Sequence, residues 1–129
     1  MIRTIDKRIN YYQYNLDDGW MVLAGKTDWD NEQLSLKVAQ QNDYWFHVKA
    51  LPGSHVILFN EEDEAETAEK CHLEQAAAIA AYHSKAKNAG ITAVHYTLAK
   101  HVGKPRGAKT GTVTIKREKT IKVRPALPK

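Results

Sequence analysis

The sequence is poor in cysteine and contains no long apolar run. Its one cysteine, Cys71, has no partner for an internal disulfide, which suits a reducing compartment, and we expect it to pack as a small apolar residue on a helix. No stretch of about 18 apolar residues is present, so no membrane-spanning helix is predicted. Residues 1–12 lack the apolar segment of a secretory signal. We therefore expect a cytoplasmic protein of one domain over residues 1–129.

Motifs that carry much of enzyme and metal chemistry are also missing. The patterns GxSxG, HExxH and CxxC are absent, and so is the phosphate-binding loop GxxxxGK followed by Ser or Thr. The sequence therefore predicts no catalytic residue, no metal site and no cofactor.

Acidic and basic residues are unevenly distributed, although the net charge is only +4. Residues 1–84 contain 7 Lys and Arg against 14 Asp and Glu, a formal charge of −7. Residues 85–129 contain 12 Lys and Arg against 1 acid, a formal charge of +11. A C-terminal third this basic is typical of a protein that binds a polyanion, and a solvated lysine-rich surface is the alternative interpretation.

The stretch DYWFHVKALPGSHV, residues 43–56, is the most informative part of the chain. Its aromatic and β-branched residues predict a strand over residues 44–49, and a Pro-Gly turn then leads into a second, apolar strand. Alternation directs one set of side chains to a core, namely Tyr44, Phe46 and Val48. The opposite set and the two polar residues after the turn would lie close together at a surface: Trp45, His47, Lys49, Ser54 and His55.

The rest of the pattern favours an α+β fold. Six strands are expected, over residues 20–24, 44–49, 56–59, 93–98, 112–115 and 120–123. Two helices are expected between them, one over residues 30–41 with Asp30 as N-cap and an alanine-rich one over residues 67–87. The N-terminal tyrosines fit an edge strand, and the last two strands should form a hairpin. We predict a single domain with an antiparallel or mixed sheet of about six strands packed with two helices.

A basic loop, residues 100–109, follows the fourth of these strands. It contains four cations and a histidine separated by glycines and a proline. Glycine lets a backbone approach a ligand closely, and Lys and Arg contact phosphates. This basic patch is the segment of the chain best suited to hold a nucleic-acid backbone.

Several of these elements, in order and spacing, resemble the NFACT-R domain, the predicted RNA-binding module of the NFACT ribosome-quality-control proteins. The matching elements are Gly25-Lys26, residues 31–35, residues 42–47, the Pro-Gly-Ser-His-Val of residues 52–56, the alanine-rich helix through Ser84, residues 94–97, residues 100–108 and residues 120–123. The resemblance covers residues 19–125 and looks like a stand-alone version of the domain. Two positions depart from the pattern, Thr27 and Thr110, where asparagine and proline are common.

The resemblance implies an RNA-binding module for tRNA or other structured or ribosomal RNA. It links the chain to ribosome-associated quality control or tRNA metabolism, with the ribosome or a translation-associated protein as a further partner and no membrane. The predicted RNA-binding residues are Lys26, Trp45, His47, Lys49, Ser54, His55, Lys100, His101, Lys104, Arg106 and Lys109. The cations would hold phosphates, while the aromatic and imidazole rings would contact a base or sugar.

Three other interpretations stay open. His47 and His55 could belong to a nucleic-acid-processing enzyme, with Asp43 and Ser54 completing a catalytic set. The acidic stretch 61–69 could dock a basic ribosomal protein, which would make the chain an interaction adaptor. The structural alternative is a hydrogen-bonded histidine that holds the Pro-Gly-Ser-His turn in place.

Overall fold

The computed structural model describes residues 3–64 and 67–128. These residues contain eight strands: β1 (Tyr11–Asn15), β2 (Met21–Gly25), β3 (Tyr44–Val48), β4 (Val56–Phe59), β5 (Thr92–Leu98), β6 (Val102–Gly103), β7 (Thr114–Ile115) and β8 (Lys119–Val123). The same residues contain two α-helices, α1 (Asp28–Gln33) and α2 (Lys70–Tyr82). No helix within this part of the chain has the length and apolar character needed to cross a membrane.

Six of the strands form one sheet with the order β1-β2-β4-β3-β5-β8, in which every neighbouring pair is antiparallel. β6 and β7 pair separately as a short antiparallel ribbon. The predicted α+β class, with about six strands packed with two helices, is confirmed. β1 contains the N-terminal tyrosines and lies at one edge of the sheet, and β8 lies at the other.

Helix α2 packs against one face of the sheet. Small side chains let the helix lie close to the strands. The buried apolar residues of the helix are mostly alanine: Ala76, Ala77, Ile79, Ala80 and Ala81. The facing strand residues include Phe46 and Val48, which are at most 1% exposed. The predicted core face of β3 is confirmed.

A second layer covers the other face of the sheet. It consists of the segment around Ile9, helix α1, the π-helical turn Leu34–Val38 and the β6–β7 ribbon. Trp45 lies under this layer and is only 3% exposed. The expectation that Trp45 faces solvent is therefore wrong. Strand alternation predicts which side chains share a face, but a distant segment decides whether that face is buried.

Helix α1 begins and ends earlier than the sequence predicts. Thr27 is its N-cap: the Thr27 hydroxyl accepts from the Asp30 N–H at 3.1 Å, and the Asp30 carboxylate accepts from the Thr27 N–H at 3.0 Å. This capping box starts the helix at Asp28, three residues after the end of β2. The regular helix ends at Gln33, and one π-helical turn continues the chain to Val38.

Helix α2 is also shorter than predicted, because the chain turns after Tyr82 toward the loop between β3 and β4. His83 leaves the helical conformation with ψ at 42°. Ser84 then forms an isolated antiparallel bridge with Gly53. Cys71 lies on α2 as expected, but its side chain is exposed, so the prediction that it packs in the interior is wrong.

The predicted hairpin between the last two strands is not formed. β7 pairs with β6, while β8 pairs with β5. The two segments contribute to different cores, since Val113 and Ile115 pack in the second layer and Ile121 and Val123 pack in the core under α2. Residues 116–118, between β7 and β8, therefore connect two layers of the fold instead of two paired strands.

Candidate nucleic-acid interface

The Pro-Gly-Ser-His turn is joined to the end of α2. The Ser54 N–H donates to the His83 carbonyl at 2.9 Å, next to the bridge between Gly53 and Ser84. A Cβ atom on Gly53 would stand 2.6 Å from the Ser84 Cβ. Glycine is needed for this close approach, so the turn is a fixed part of the fold.

The same turn is tied to β2 and α1. The Ser54 hydroxyl donates to the Gly25 carbonyl at 2.6 Å, and the His55 N–H donates to the Asn31 side-chain oxygen at 3.0 Å. A Cβ on Gly25 would lie 2.1 Å from that same oxygen. Elements that lie far apart in the sequence, and that carry the family resemblance, therefore form one packed unit.

His55 and Trp45 share one buried hydroxyl group. The His55 Nδ1 lies 2.8 Å from the Ser35 Oγ, and the Trp45 Nε1–H donates to the same oxygen at 2.9 Å. Burial of the His55 ring lowers its pKa to about 4, so the ring is neutral at pH 7. At 6% and 3% exposure, the His55 and Trp45 side chains offer no open ring face to a base. The geometry favours the structural interpretation of these two residues.

His47 lies closer to the surface than His55. It is half-buried, its ring centroid is 5.4 Å from that of His55, and it stands opposite His95 of β5. Burial lowers the pKa of His47. Lys49 is exposed just beyond β3. Among the described residues, no group of three or more His, Cys, Asp and Glu is arranged to hold a metal ion.

The basic loop lies against α1. The Lys104 Nζ is 2.9 Å from the Glu32 carboxylate, which also accepts from the Gly111 N–H at 3.0 Å. The hydrogen bond from Lys104, followed by that from Gly111, lowers the pKa of Glu32. Glu32 adjoins Asn31, whose side chain holds the backbone of His55. Helix α1 thus brings the basic loop beside the hairpin formed by β3 and β4.

Much of the basic surface carries no compensating charge. Within residues 3–64 and 67–128, no ion pair or side-chain hydrogen bond engages four exposed cations: Arg106, Lys109, Lys116 and Arg117. A hollow of about 460 Å³ lies beside the ends of β5 and β8, and its lining combines uncharged residues such as Tyr44 and Tyr96 with Lys100, His101, Arg117 and Lys119. Of the predicted phosphate contacts in the basic loop, Arg106 and Lys109 therefore lie on an exposed cationic surface, whereas Lys104 is paired with Glu32.

A second hollow of about 460 Å³ lies where β1, the Pro-Gly-Ser-His turn and the end of α2 meet. We call it the tyrosine groove. Its lining contains two predicted contact residues, Lys26 and Ser54, and several residues that are not among the predicted contacts: Tyr12, Tyr82, His83 and Lys85. The alternating tyrosines of β1 are the sequence signal for this surface. His83 comes from a helix end 69 residues beyond Tyr14, and no local pattern predicts that it joins them.

The family described as the NFACT protein RNA binding domain matches residues 10–117. The match includes β1 to β7, both helices and the basic loop. This chain belongs to the NFACT-R family. The predicted membership is confirmed, and the packed unit around the Pro-Gly-Ser-His turn lies entirely inside the matched part of this NFACT-R domain.

Curated relatives of this NFACT-R domain carry the name Rqc2 homolog RqcH. The protein from Bacillus subtilis (strain 168) is 42% identical over 112 residues, which are 87% of this chain and 19% of the relative. The protein from Streptococcus suis (strain 05ZYH33) is 37% identical over 122 residues, 94% of this chain and 21% of the relative. The NFACT-R domain therefore spans about a fifth of the length of these relatives.

A solved structure shares the fold of this NFACT-R domain. It is the C-terminal part of the fibronectin/fibrinogen-binding protein from Streptococcus suis, with a TM-score of 0.84 and 36% sequence identity. The match covers 95% of this chain and 49% of that chain. The architecture of one sheet between α2 and a second layer is thus common to both proteins.

Proposed function

We propose that this NFACT-R domain binds structured RNA, either tRNA or ribosomal RNA, in ribosome-associated quality control. The observation that supports the proposal best is the group of exposed cations, Arg106, Lys109, Lys116 and Arg117, that no described acidic side chain pairs, on a chain of the NFACT-R family. The relatives named Rqc2 homolog RqcH support the connection with quality control. In this function the partners are RNA and the ribosome or a translation-associated protein, and the protein works in the cytoplasm.

The basic loop contacts RNA phosphates in this proposal. Its four cations are Lys100, Lys104, Arg106 and Lys109. Lys49 adds an exposed cation just beyond β3, and in this proposal the imidazole groups of His47 and His101 contact the same RNA. Contacts to phosphate release counterions, so binding by this surface depends on salt and only weakly on RNA sequence.

Salt dependence tests the proposal directly. If five or six phosphates are neutralised, the logarithm of the association constant falls with the logarithm of salt concentration with a slope of roughly −4 to −5. A titration of total tRNA against the purified protein at several salt concentrations measures this slope. Micromolar binding with a steep slope supports RNA binding, whereas no binding at low salt contradicts it.

Arg106 and Lys109 are the best positions to change, because neither side chain engages another described residue. We expect Arg106→Ala combined with Lys109→Ala to weaken tRNA binding about tenfold at low salt, since two phosphate contacts are lost. The matched control is Lys7→Ala combined with Lys37→Ala, which removes the same charge from exposed positions outside the basic third. Equal affinities of the two double variants would contradict a role for the loop.

The enzyme alternative requires His47 and His55 to act on a substrate. His55 is 6% exposed, and its Nδ1 is bound to Ser35. A buried, hydrogen-bonded imidazole is poorly placed to exchange a proton with an RNA chain. We therefore base the proposed function on binding.

A further inference from the structure

The tyrosine groove contains an exposed aromatic platform. The Tyr12 and His83 rings stack with centroids 4.3 Å apart and planes inclined by 14°. The His83 Nε2 lies 2.6 Å from the Tyr14 hydroxyl, which fixes the orientation of the imidazole. Tyr12 is 42% exposed, so a planar ligand reaches its ring once the Lys26 side chain, which lies over the ring, moves aside.

Cations flank this platform. The Lys26 Nζ lies 4.5 Å from the centre of the Tyr12 ring. Lys85 is exposed and lines the groove, and the exposed Lys87 follows two residues later. Asp28 is the only acidic residue among the described residues that line it. An aromatic ring beside excess positive charge suits a ligand that combines a planar base with a phosphate.

The groove adjoins the basic loop. Asp28 lines the groove, and Gly111, two residues after the loop, packs against it so closely that a Cβ on Gly111 would lie 3.0 Å from the Asp28 Cβ. The groove volume of about 460 Å³ lies within the range of small-ligand pockets, roughly 300–1,000 Å³. An RNA strand whose phosphates lie on the basic loop can therefore place a following nucleotide in the groove.

We propose that the tyrosine groove takes one unpaired nucleotide of the bound RNA. This inference rests on the RNA binding proposed above. The base stacks on the exposed part of the Tyr12 ring, and Lys26 leaves this ring to contact the adjoining phosphate together with Lys85. Every base has a π-face, so stacking tolerates all four. The subsite therefore favours RNA with a single-stranded position over fully paired RNA and does not read sequence.

Three RNA hairpins with one stem sequence test this inference. The first is blunt-ended, the second has a single-stranded 3′ extension, and the third has the same extension without bases but with all its phosphates. We expect the wild-type protein to bind the complete extension about tenfold more tightly than the abasic one, as stacking of one base predicts. Tyr12→Ala should abolish this preference, and Tyr12→Phe should keep it.

A spectroscopic measurement gives a readout that does not depend on affinity. A 2-aminopurine placed in the extension should lose fluorescence on binding the wild-type protein at saturation, because its ring stacks. Tyr12→Ala should not produce this loss. Lys26→Gln should weaken binding of the complete and abasic extensions by the same factor, since both retain the phosphates.

Trp29→Ala is the matched control. Trp29 is 37% exposed, close to the value for Tyr12, and it does not line the groove. This variant should keep the preference for the complete extension. A similar loss of preference in Trp29→Ala would place the base elsewhere and overturn the assignment to Tyr12.

The outcomes separate this inference from the proposed function. Salt-dependent binding of all three hairpins with equal affinity would overturn the nucleotide subsite and leave RNA binding intact. A preference that persists in Tyr12→Ala would also overturn the subsite. Failure of every hairpin and of tRNA to bind at low salt would overturn both.

Discussion

His55 and His83 both contact aromatic rings, but their surroundings are opposite. His55 is buried, meets the Trp45 ring edge-on with centroids 5.3 Å apart, and is bound to Ser35. His83 is half-buried and stacks on Tyr12, which is exposed beside a lysine. The first histidine belongs to the motif that stands out in the sequence, and the second belongs to none.

The contrast shows that a prominent motif can mark packing and that a contact surface can lack a motif. Buried polar atoms need hydrogen-bond partners, so Trp45, Ser35 and His55 depend on one another for the fold. The ring of Tyr12 is 42% exposed and is the ring that we propose contacts a nucleotide. Changes in the buried set should therefore affect stability, and changes in the exposed set should affect binding.

The largest expected difference is in the free energy of unfolding, when one aromatic residue is replaced in the buried set around His55 and one in the exposed set around His83. Trp45→Ala should lower the free energy of unfolding by about 3–5 kcal/mol, because it removes a buried ring and a hydrogen bond. Tyr12→Ala should lower it by less than about 1 kcal/mol, since the ring lies largely at the surface. Urea denaturation of both variants measures the two values, and similar losses would remove the distinction.

Acid should destabilise the protein through His55. The pKa of His55 is about 4 in the folded protein, whereas an ordinary histidine has a pKa of 6.5. As the pH falls below 6.5, the unfolded chain therefore takes up a proton before the folded protein does. The stability contributed by the neutral ring is complete above pH 6.5 and is lost toward pH 4, by about 2 kcal/mol at pH 5. His55→Gln should flatten this part of the pH profile.

His83→Gln is the comparison for that experiment. Burial also lowers the pKa of His83, but its ring is only half-buried, so the flattening should be smaller. Urea denaturation at pH 7.5, 6 and 5 resolves the profiles. An equal slope for the wild-type protein and His55→Gln would mean that other groups cause the acid sensitivity.

The bridge between the turn and the end of α2 should be sensitive to a single methyl group. Gly53→Ala puts a Cβ 2.6 Å from the Ser84 Cβ and should cost about 1–3 kcal/mol of folding free energy. Gly103→Ala is a suitable control, because its nearest neighbour, the Thr114 Oγ1, lies 3.6 Å away. Thermal unfolding compares the variants, and a smaller loss for Gly53→Ala than for Gly103→Ala would contradict the close packing.

The smallest expected effect concerns the anchor of the basic loop. Glu32→Gln keeps an oxygen for the Gly111 N–H but removes the charge that pairs with Lys104. Stability should change by less than about 1 kcal/mol, as for other pairs near a surface. We expect tRNA affinity at low salt to rise about two- to threefold and the gain to vanish at high salt. A lower affinity would show that the anchored loop matters more than the freed charge.

Local patterns predicted much of the fold. The alternation in β3 identified Phe46 and Val48 as core residues, and the alanine run identified α2, because both signals arise within one element. The partner of β7 and the cover over Trp45 could not be predicted in this way. They depend on which distant segments complete a layer, and a short sequence window does not contain that information.

In the candidate site, too, features that arise within one segment could be predicted, whereas features that depend on distant segments could not. The basic loop was visible in the sequence because its charges are contiguous. The platform of Tyr12 and His83 was not, because a strand at one end of the chain and the end of α2 meet only in the folded protein. His55 was misplaced as a surface residue because its burial comes from α1 and the turn after it.

Strand β8 leaves one edge of the sheet without a neighbouring strand among the described residues. The strand contains two exposed lysines, Lys119 at its first position and Lys122 near its end. Two further cations, Lys116 and Arg117, precede the strand. Lysines on an edge strand discourage a foreign strand from extending the sheet, because their charges would be brought together and desolvated. The charged edge therefore disfavours pairing of β8 with a strand of a second molecule, which keeps the sheet closed to extension on this side.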